Sequence, residues 1–153
     1  MVSLGASIGR SLRAGDVVVL TGELGAGKTT LIRGIVRGTG SPARVRSPSF
    51  IRMVEYEGPV RILHLDLYRV ETADPEWAST LAESAGEDAI VLLEWGERIA
   101  EVLPAERWEI AIDFEGEGRR VSLSATAPAL EARIGALGSA LVAEQRLGGG
   151  SGT

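Results

Sequence analysis

The sequence predicts an α/β fold, in which a mixed, mostly parallel β-sheet is flanked by helices. The first sign is a pair of short, mostly apolar runs at residues 16–20 and 89–93. Such runs are typical of strands buried on both faces of a parallel sheet. The second sign is a glycine-rich turn after the 16–20 run. It leads into residues 29–36, whose apolar side chains have helical spacing. Strand, glycine turn and helix in this order indicate a βα unit.

The elements on either side of this unit can be placed in order. Apolar residues spaced at four predict a short helix within residues 1–15. Residues 41–50 contain two prolines and are predicted to form a loop. Two strands, 51–56 and 60–65, then flank a Gly-Pro turn. Because their connection is so short, we expect these two strands to be antiparallel.

The second half of the chain continues the pattern. A helix is predicted over residues 75–84, with Asp74 as its N-cap and proline at its first position. The 89–93 strand is expected beside the 16–20 strand in the sheet interior, and a short helix over 96–102 follows it. Alternating residues at 108–114 and 119–125, joined by Glu-Gly-Glu-Gly, predict an antiparallel hairpin.

The predicted domain organisation has three parts. Residues 1–126 form the α/β domain, and residues 127–147 form a C-terminal helical extension with an Ala/Leu-rich sequence. Residues 148–153 form a flexible Gly/Ser tail.

Composition limits the class of protein. A chain of 153 residues with 24% charged residues is typical of one globular domain. It has no cysteine, which excludes a disulfide framework. No apolar run approaches the ~20 residues of a membrane span, so we expect a cytoplasmic protein with no membrane association. The net charge of −5 argues against stable DNA binding by electrostatics alone.

The glycine-rich turn carries the most specific motif. Residues 22–29 read GELGAGKT and match G-x-x-x-x-G-K-[ST], the P-loop or Walker A motif. In that motif backbone N–H groups surround phosphates, and the lysine reaches the β and γ oxygens. Lys28 is the only lysine in a chain that otherwise uses arginine for its cations. The turn is therefore predicted to be a nucleotide-phosphate site.

A P-loop works with Mg²⁺, which prefers oxygen ligands. Thr29 is expected to supply one. The second is expected from an acid at the carboxyl end of a strand, and both Glu94 and Asp66 are in such a position. One acid would lie near the metal and the other would orient the attacking water, and the sequence leaves open which does which. His64 is expected to be packed or hydrogen-bonded, and Trp95 to pack rather than stack on a nucleotide.

Four segments together carry a family resemblance. They are GELGAGKTT at 22–30, SPSF at 47–50, HLDLYR at 64–69 and EW at 94–95. In this order and spacing they closely resemble the TsaE (YjeE) family, small bacterial ATPases of tRNA threonylcarbamoyladenosine (t6A) synthesis. The resemblance covers about residues 4 to 125.

The resemblance implies an ATPase that binds Mg²⁺ and ATP and acts with the TsaD and TsaB proteins, meeting tRNA only through that complex. It implies Mg²⁺ near Thr29 and Glu94, a switch-like loop at 47–50, and an arginine at the start of the last strand, Arg119, near the nucleotide. The implied catalytic residues are Lys28, Asp66 and Glu94. The implied nucleotide-binding residues are Gly22, Gly25, Ala26, Gly27, Lys28, Thr29, Thr30, Ser49 and Arg119.

The chain departs from the family pattern at three places. Ser49 stands where the loop commonly has threonine, although the hydroxyl is kept. The segment upstream of Leu4 is shorter than usual, which puts an adenine contact from that segment in doubt. The helix after Pro128 is not part of the pattern.

Other functions remain open at this point. A small-molecule P-loop kinase is the main alternative, with residues 44–52 as its lid. A protein in which bound nucleotide only supports an interaction module is another. A GTPase is disfavoured, because the guanine-reading motif needs a second lysine, and the signature of an ABC-type motor is missing.

Overall fold

The computed structural model describes residues 1–48, 53–71, 75–84, 86 and 88–148. Its helices are α1, α2, α3 and α4, together with a 3₁₀ helix at Gly96–Val102. The α-helices span Val2–Ser11, Lys28–Gly38, Pro75–Ser84 and Pro128–Gly148. The strands β1 to β6 span Val17–Thr21, Met53–Tyr56, Arg61–Asp66, Ala89–Glu94, Trp108–Glu115 and Gly118–Ala125.

The six strands form one mixed sheet in the order β2-β3-β4-β1-β5-β6. The four central strands are parallel to one another, whereas the outer strands β2 and β6 pair antiparallel with β3 and β5. Strand β1 lies directly beside β4, with Val18 opposite Leu92. The predicted α/β fold, the parallel centre and both antiparallel pairs are confirmed. The part of the chain that the structure describes contains no helix long and apolar enough to cross a membrane.

The core has two layers, one on each face of the sheet. In β1, Val18 and Leu20 belong to the layer under α1, α2 and α4, while Val17 and Val19 belong to the layer under α3 and the 3₁₀ helix. Successive side chains of a strand point to opposite faces, which divides the apolar runs between the layers. Both layers exclude water, which explains why the central strands are apolar throughout.

Helices α1 and α2 approach each other at backbone distance. Gly5 and Gly9 on α1 face Gly34 and Gly38 on α2, and none of them has room for a side chain. A Cβ added at Gly9 would lie 2.1 Å from the carbonyl oxygen of Ile35. This glycine contact fixes α2 against α1, and α2 is the helix that begins at the P-loop lysine.

Helix α4 packs on the same layer. Leu137 is buried, and Leu130, Ile134 and Leu141 pack against the core beneath it. Arg133 binds Asp16 with two hydrogen bonds, of 2.8 and 2.6 Å, and also donates to the carbonyl of Ser11 at 2.6 Å. Asp16 immediately precedes β1, so α4 is tied to the strand that leads into the P-loop.

Several element boundaries differ from the sequence expectations. Helix α1 ends at Ser11 because Leu12 adopts an extended backbone and Gly15 has a φ of 91°. Strand β3 continues to Asp66, because its ladder with β4 pairs this residue with Glu94. The predicted N-cap, Asp74, lies outside the described residues, as do the first two residues of the predicted 51–56 strand.

Candidate nucleotide-binding site

A cleft of about 400 Å³ lies where the carboxyl ends of β3 and β4 meet the start of α2. The strand register brings the two candidate acids together, because Asp66 is paired with Glu94 across the ladder. Glu94 is in turn opposite Leu20 at the end of β1. In open α/β sheets the crevice beyond the carboxyl ends of the strands is where ligands bind.

The P-loop joins β1 to α2 with three glycines in backbone conformations that side chains rarely adopt. Gly22, Gly25 and Gly27 have φ values of 146°, 80° and 113°. At Gly22 a side chain is also excluded by space, since a Cβ would lie 2.5 Å from the carbonyl oxygen of Ile112. Glycine is therefore required here by both conformation and close approach. The turn delivers the chain to α2, whose first residue is Lys28.

Lys28 is held over its own loop. Its Nζ donates to the carbonyl oxygens of Gly22 at 2.5 Å and Glu23 at 3.0 Å, and lies 4.0 Å from the centre of a Trp95 ring. The residue is only 5% exposed. Burial lowers the pKa of the Lys28 ammonium, while the negative charges of Glu94, Glu97 and Asp66 oppose that shift. The ammonium thus lies within the cleft, near the acids.

Thr29 and Glu94 meet directly. The Thr29 hydroxyl lies 2.9 Å from Glu94 Oε1 and 3.1 Å from Oε2, so it donates to the carboxylate. Glu94 is 3% exposed, and its Oε1 is also 2.7 Å from Nε2 of His64. Because Mg²⁺ is usually bound by only one or two protein oxygens, this hydroxyl–carboxylate pair fits such an ion.

Asp66 ends β3 at the same edge. Its Oδ1 accepts a hydrogen bond of 3.0 Å from the backbone N–H of Tyr68, a residue that also lines the cleft. The Tyr68 ring lies against Trp95, with ring centres 5.1 Å apart. Trp95 has a φ of 61°, a conformation unusual for a residue with a side chain. It packs, as expected, and it also lines the cleft.

Arg119 lies at the start of β6 and contacts the P-loop from outside. Its Nε donates to the carbonyl oxygen of Ala26 at 3.1 Å, and its guanidinium lies 4.0 Å from the centre of the Phe114 ring. Ala26 is 1% exposed. Neither Arg119 nor Ala26 lines the cleft, whereas Gly25, Gly27 and Thr30 do. In this structure Arg119 supports the loop backbone.

Sequence reasoning missed part of the site. Leu24, Tyr68 and Arg69 line the cleft, as does Ser47 from the predicted switch-like loop. The sequence also did not reveal that His64 contacts Glu94. The structure shows His64 fully buried and hydrogen-bonded to that carboxylate. Strand alternation places His64 on the same face as Asp66, but it does not give the contact with Glu94. Ser49 lies outside the described residues.

Residues 41–46 border a second groove, of about 670 Å³. We call this the arginine groove, because Arg33 and Arg37 of α2 and Arg44 and Arg46 of the loop line it. All four residues are exposed, and their guanidinium groups form no ion pair or hydrogen bond with any residue that the structure describes. Arg44 thus lines this groove rather than the nucleotide cleft.

Comparison with known proteins agrees with this geometry. A family model described as threonylcarbamoyl adenosine biosynthesis protein TsaE matches residues 1–121. The chain belongs to the TsaE family. The resemblance drawn from its motifs is thereby confirmed, and TsaE proteins are of the P-loop NTPase type.

Individual TsaE relatives cover most of the chain. It is 34% identical over 116 residues to the tRNA threonylcarbamoyladenosine biosynthesis protein TsaE of Treponema pallidum, covering 76% of this chain and 86% of that one. It is 38% identical over 117 residues to the TsaE protein of Streptomyces coelicolor, covering 74% and 78%. The crystal structure of YdiB from Bacillus subtilis matches with a TM-score of 0.77 and 29% identity, covering 90% of this chain and 86% of that one.

Proposed function

We propose that this TsaE-family chain binds Mg²⁺ and ATP in the cleft and hydrolyses the nucleotide in support of tRNA threonylcarbamoyladenosine synthesis. The observation that carries the proposal is the arrangement around Lys28. Its ammonium lies at the loop of three positive-φ glycines, and the next residue, Thr29, touches the buried carboxylate of Glu94. The relatives named for this biosynthesis support the pathway.

Each group would have a distinct task. The backbone N–H groups over residues 25–30 would surround the phosphates, and Lys28 would leave its carbonyl partners to contact the β and γ oxygens. Thr29 and Glu94 would hold Mg²⁺, which neutralises charge that develops on the phosphate oxygens. The Glu94–Thr29 contact favours this assignment over Asp66. Asp66 would then orient the attacking water, at the same edge of the sheet.

The remaining predicted residues would act through the loops. Arg119 would keep the P-loop in shape through the Ala26 carbonyl and would also approach the nucleotide. Ser49 is proposed as a phosphate or metal contact, since it follows Ser47, which lines the cleft, by two residues. Gly22 would contribute through its carbonyl oxygen, which accepts a hydrogen bond from Lys28.

The proposed partners are the TsaD and TsaB proteins in the cytoplasm, with tRNA reached only through that complex and without stable DNA binding. The proposed division keeps residues 1–126 as the ATPase domain, 127–147 as a helical extension and 148–153 as a flexible tail. The extension lies away from the cleft. It still touches the domain through Arg133, so its removal tests how far the two are independent.

The deciding experiment measures ATP hydrolysis by this protein alone and mixed with TsaD and TsaB. We expect slow hydrolysis alone, faster hydrolysis in the mixture, and loss of both in Glu94→Gln with ATP binding retained. Arginine groups supplied by a partner can accelerate such hydrolysis by ~10³-fold or more. Hydrolysis that is equally fast with Glu94→Gln would contradict the assignment of the site.

The main alternative is a small-molecule kinase. It would need an acceptor pocket beside the γ-phosphate and a mobile lid. Ser47 of the proposed lid lines the cleft, but Arg44 and Arg46 line the arginine groove. A screen of phosphoryl acceptors, run if TsaD and TsaB have no effect on hydrolysis, separates the two functions.

A further inference from the structure

A continuous row of hydrogen bonds runs from the 41–48 loop to Glu94. The Tyr56 hydroxyl lies 3.1 Å from the carbonyl oxygen of Arg46 and 3.1 Å from Nδ1 of His64. On the other side of the same ring, Nε2 of His64 lies 2.7 Å from Oε1 of Glu94. The three side chains are 4%, 0% and 3% exposed. Water is therefore excluded from the row, and each polar atom depends on its neighbour.

The positions of the hydrogens follow from the inventory of donors. The Glu94 carboxylate accepts hydrogen bonds, so the short contact requires a hydrogen on Nε2 of His64. In a neutral ring Nδ1 is then an acceptor, and its partner is the Tyr56 hydroxyl. Burial raises the pKa of Tyr56, which keeps the hydroxyl hydrogen in place. That single hydrogen faces two acceptors, Nδ1 of His64 and the carbonyl of Arg46.

We propose that His64 is a positioning residue that fixes the Glu94 carboxylate, and that Tyr56 transmits the position of the 41–48 loop to it. This proposal rests on the proposed function for the role of Glu94. Arg46 is bonded to Tyr56, and its neighbour Ser47 lines the nucleotide cleft. A nucleotide that contacts Ser47 moves the Arg46 carbonyl. The Tyr56 hydroxyl then turns toward Nδ1 of His64 and secures the Nε2–H bond to Glu94.

Glu94 needs such a support because Thr29 alone does not fix it. The single hydroxyl hydrogen of Thr29 lies within reach of both carboxylate oxygens, at 2.9 and 3.1 Å, and selects neither strongly. The contact from His64 goes to Oε1 alone and is the shorter one. It therefore fixes one carboxylate oxygen, Oε1, while both oxygens stay within hydrogen-bonding distance of the Thr29 hydroxyl.

Two substitutions of His64 separate its two hydrogen bonds. The amide nitrogen of glutamine reaches the place of Nε2, and that of asparagine reaches the place of Nδ1. We expect His64→Gln, which keeps the bond to Glu94 but loses the bond to Tyr56, to lower kcat less than His64→Asn does. His64→Asn should lower kcat by about 10–100-fold, the usual effect of losing the partner that orients such a ligand, with the KM for ATP unchanged. Both variants lose the imidazole ring and the packing that it provides. The thermal unfolding temperature of each variant measures this shared loss of packing. Equal kcat values in the two variants would refute the positioning role.

A second measurement needs neither ATP nor turnover. His64 is the only histidine in the chain, so ¹⁵N-labelled histidine gives one imidazole in an NMR spectrum. We expect the Nε2–H tautomer in the wild type and a changed Nδ1 chemical shift in Tyr56→Phe, which removes the donor but keeps the ring. An Nδ1–H tautomer, or no response to Tyr56→Phe, would overturn the relay. If the spectrum agrees but the protein hydrolyses no ATP, the proposed function fails and the hydrogen-bond row stands.

Discussion

Replacing Gly9 with alanine tests whether the glycine contact between α1 and α2 holds the P-loop helix in place. The new Cβ would lie 2.1 Å from the carbonyl oxygen of Ile35 and 2.9 Å from the Cα of Gly38, both backbone atoms. Cβ contacts under 3.0 Å are essentially never found, so α1 must move away from α2 by about 0.9 Å at this point. A gap of this size forfeits roughly a quarter to a half of the dispersion energy of each separated contact.

The expected cost follows from two opposing effects. Overpacking of this kind costs about 1–3 kcal/mol, and alanine returns up to about 1 kcal/mol through its better helix propensity. We therefore expect a net loss of about 0–3 kcal/mol in the free energy of unfolding, measured by urea denaturation with circular dichroism. ATP affinity should fall as well, because α2 carries Lys28 at its first turn.

The matched control is Gly135→Ala on α4. A Cβ at Gly135 meets no atom within 4 Å among the described residues, so the substitution adds helix propensity without a clash. It should raise stability by about 0.5–1 kcal/mol and leave ATP affinity unchanged. If Gly9→Ala proves as stable as Gly135→Ala, the α1–α2 contact is not a constraint and the reasoning is wrong.

Three further outcomes are expected. Lys28→Ala should abolish ATP affinity in a calorimetric titration while the circular dichroism spectrum stays native, and unchanged affinity would disprove the phosphate site. Glu94→Gln should retain ATP binding and lose turnover in a phosphate-release assay, whereas full turnover would remove Glu94 from the catalytic site. Arg133→Met should lower the free energy of unfolding by about 1–3 kcal/mol, because it removes the only cation bound to the buried Asp16 carboxylate among the described residues and leaves it the backbone N–H of Arg13. Asp16→Asn in the same background should then add little, and a full additional loss would show that the two residues do not interact.

The fold was predictable because its signals are local. Uniform apolar runs marked the central strands, and a Gly-Pro turn and a Glu-Gly-Glu-Gly turn marked the two antiparallel pairs. The P-loop motif then located the phosphate site, since the motif itself contains the glycines that its backbone needs. Asp66 and Glu94 could be placed at one edge because both follow strands that end there.

The contacts between distant segments were not predictable from the sequence. The His64–Glu94 bond depends on the β3–β4 register, which alternation within one strand does not give. The α1–α2 contact depends on how two glycine pairs face each other. From sequence alone, a glycine within a helix only indicates lower helix stability. Arg133 and Asp16 are 117 residues apart, and only the folded chain shows that α4 reaches β1.

The arginine groove makes the charge distribution of this molecule uneven. The chain carries a formal net charge of −5, yet the arginine groove gathers four guanidinium groups that pair with no residue the structure describes. The arginine groove therefore attracts an acidic surface, whereas the negatively charged remainder of the chain repels it. These opposing forces orient the acidic surface before contact is made. Such steering raises association rates by about 10–10³-fold and fades as salt shortens the range of the field to about 8 Å. A negatively charged partner would thus arrive first at the loop whose Ser47 lines the nucleotide cleft.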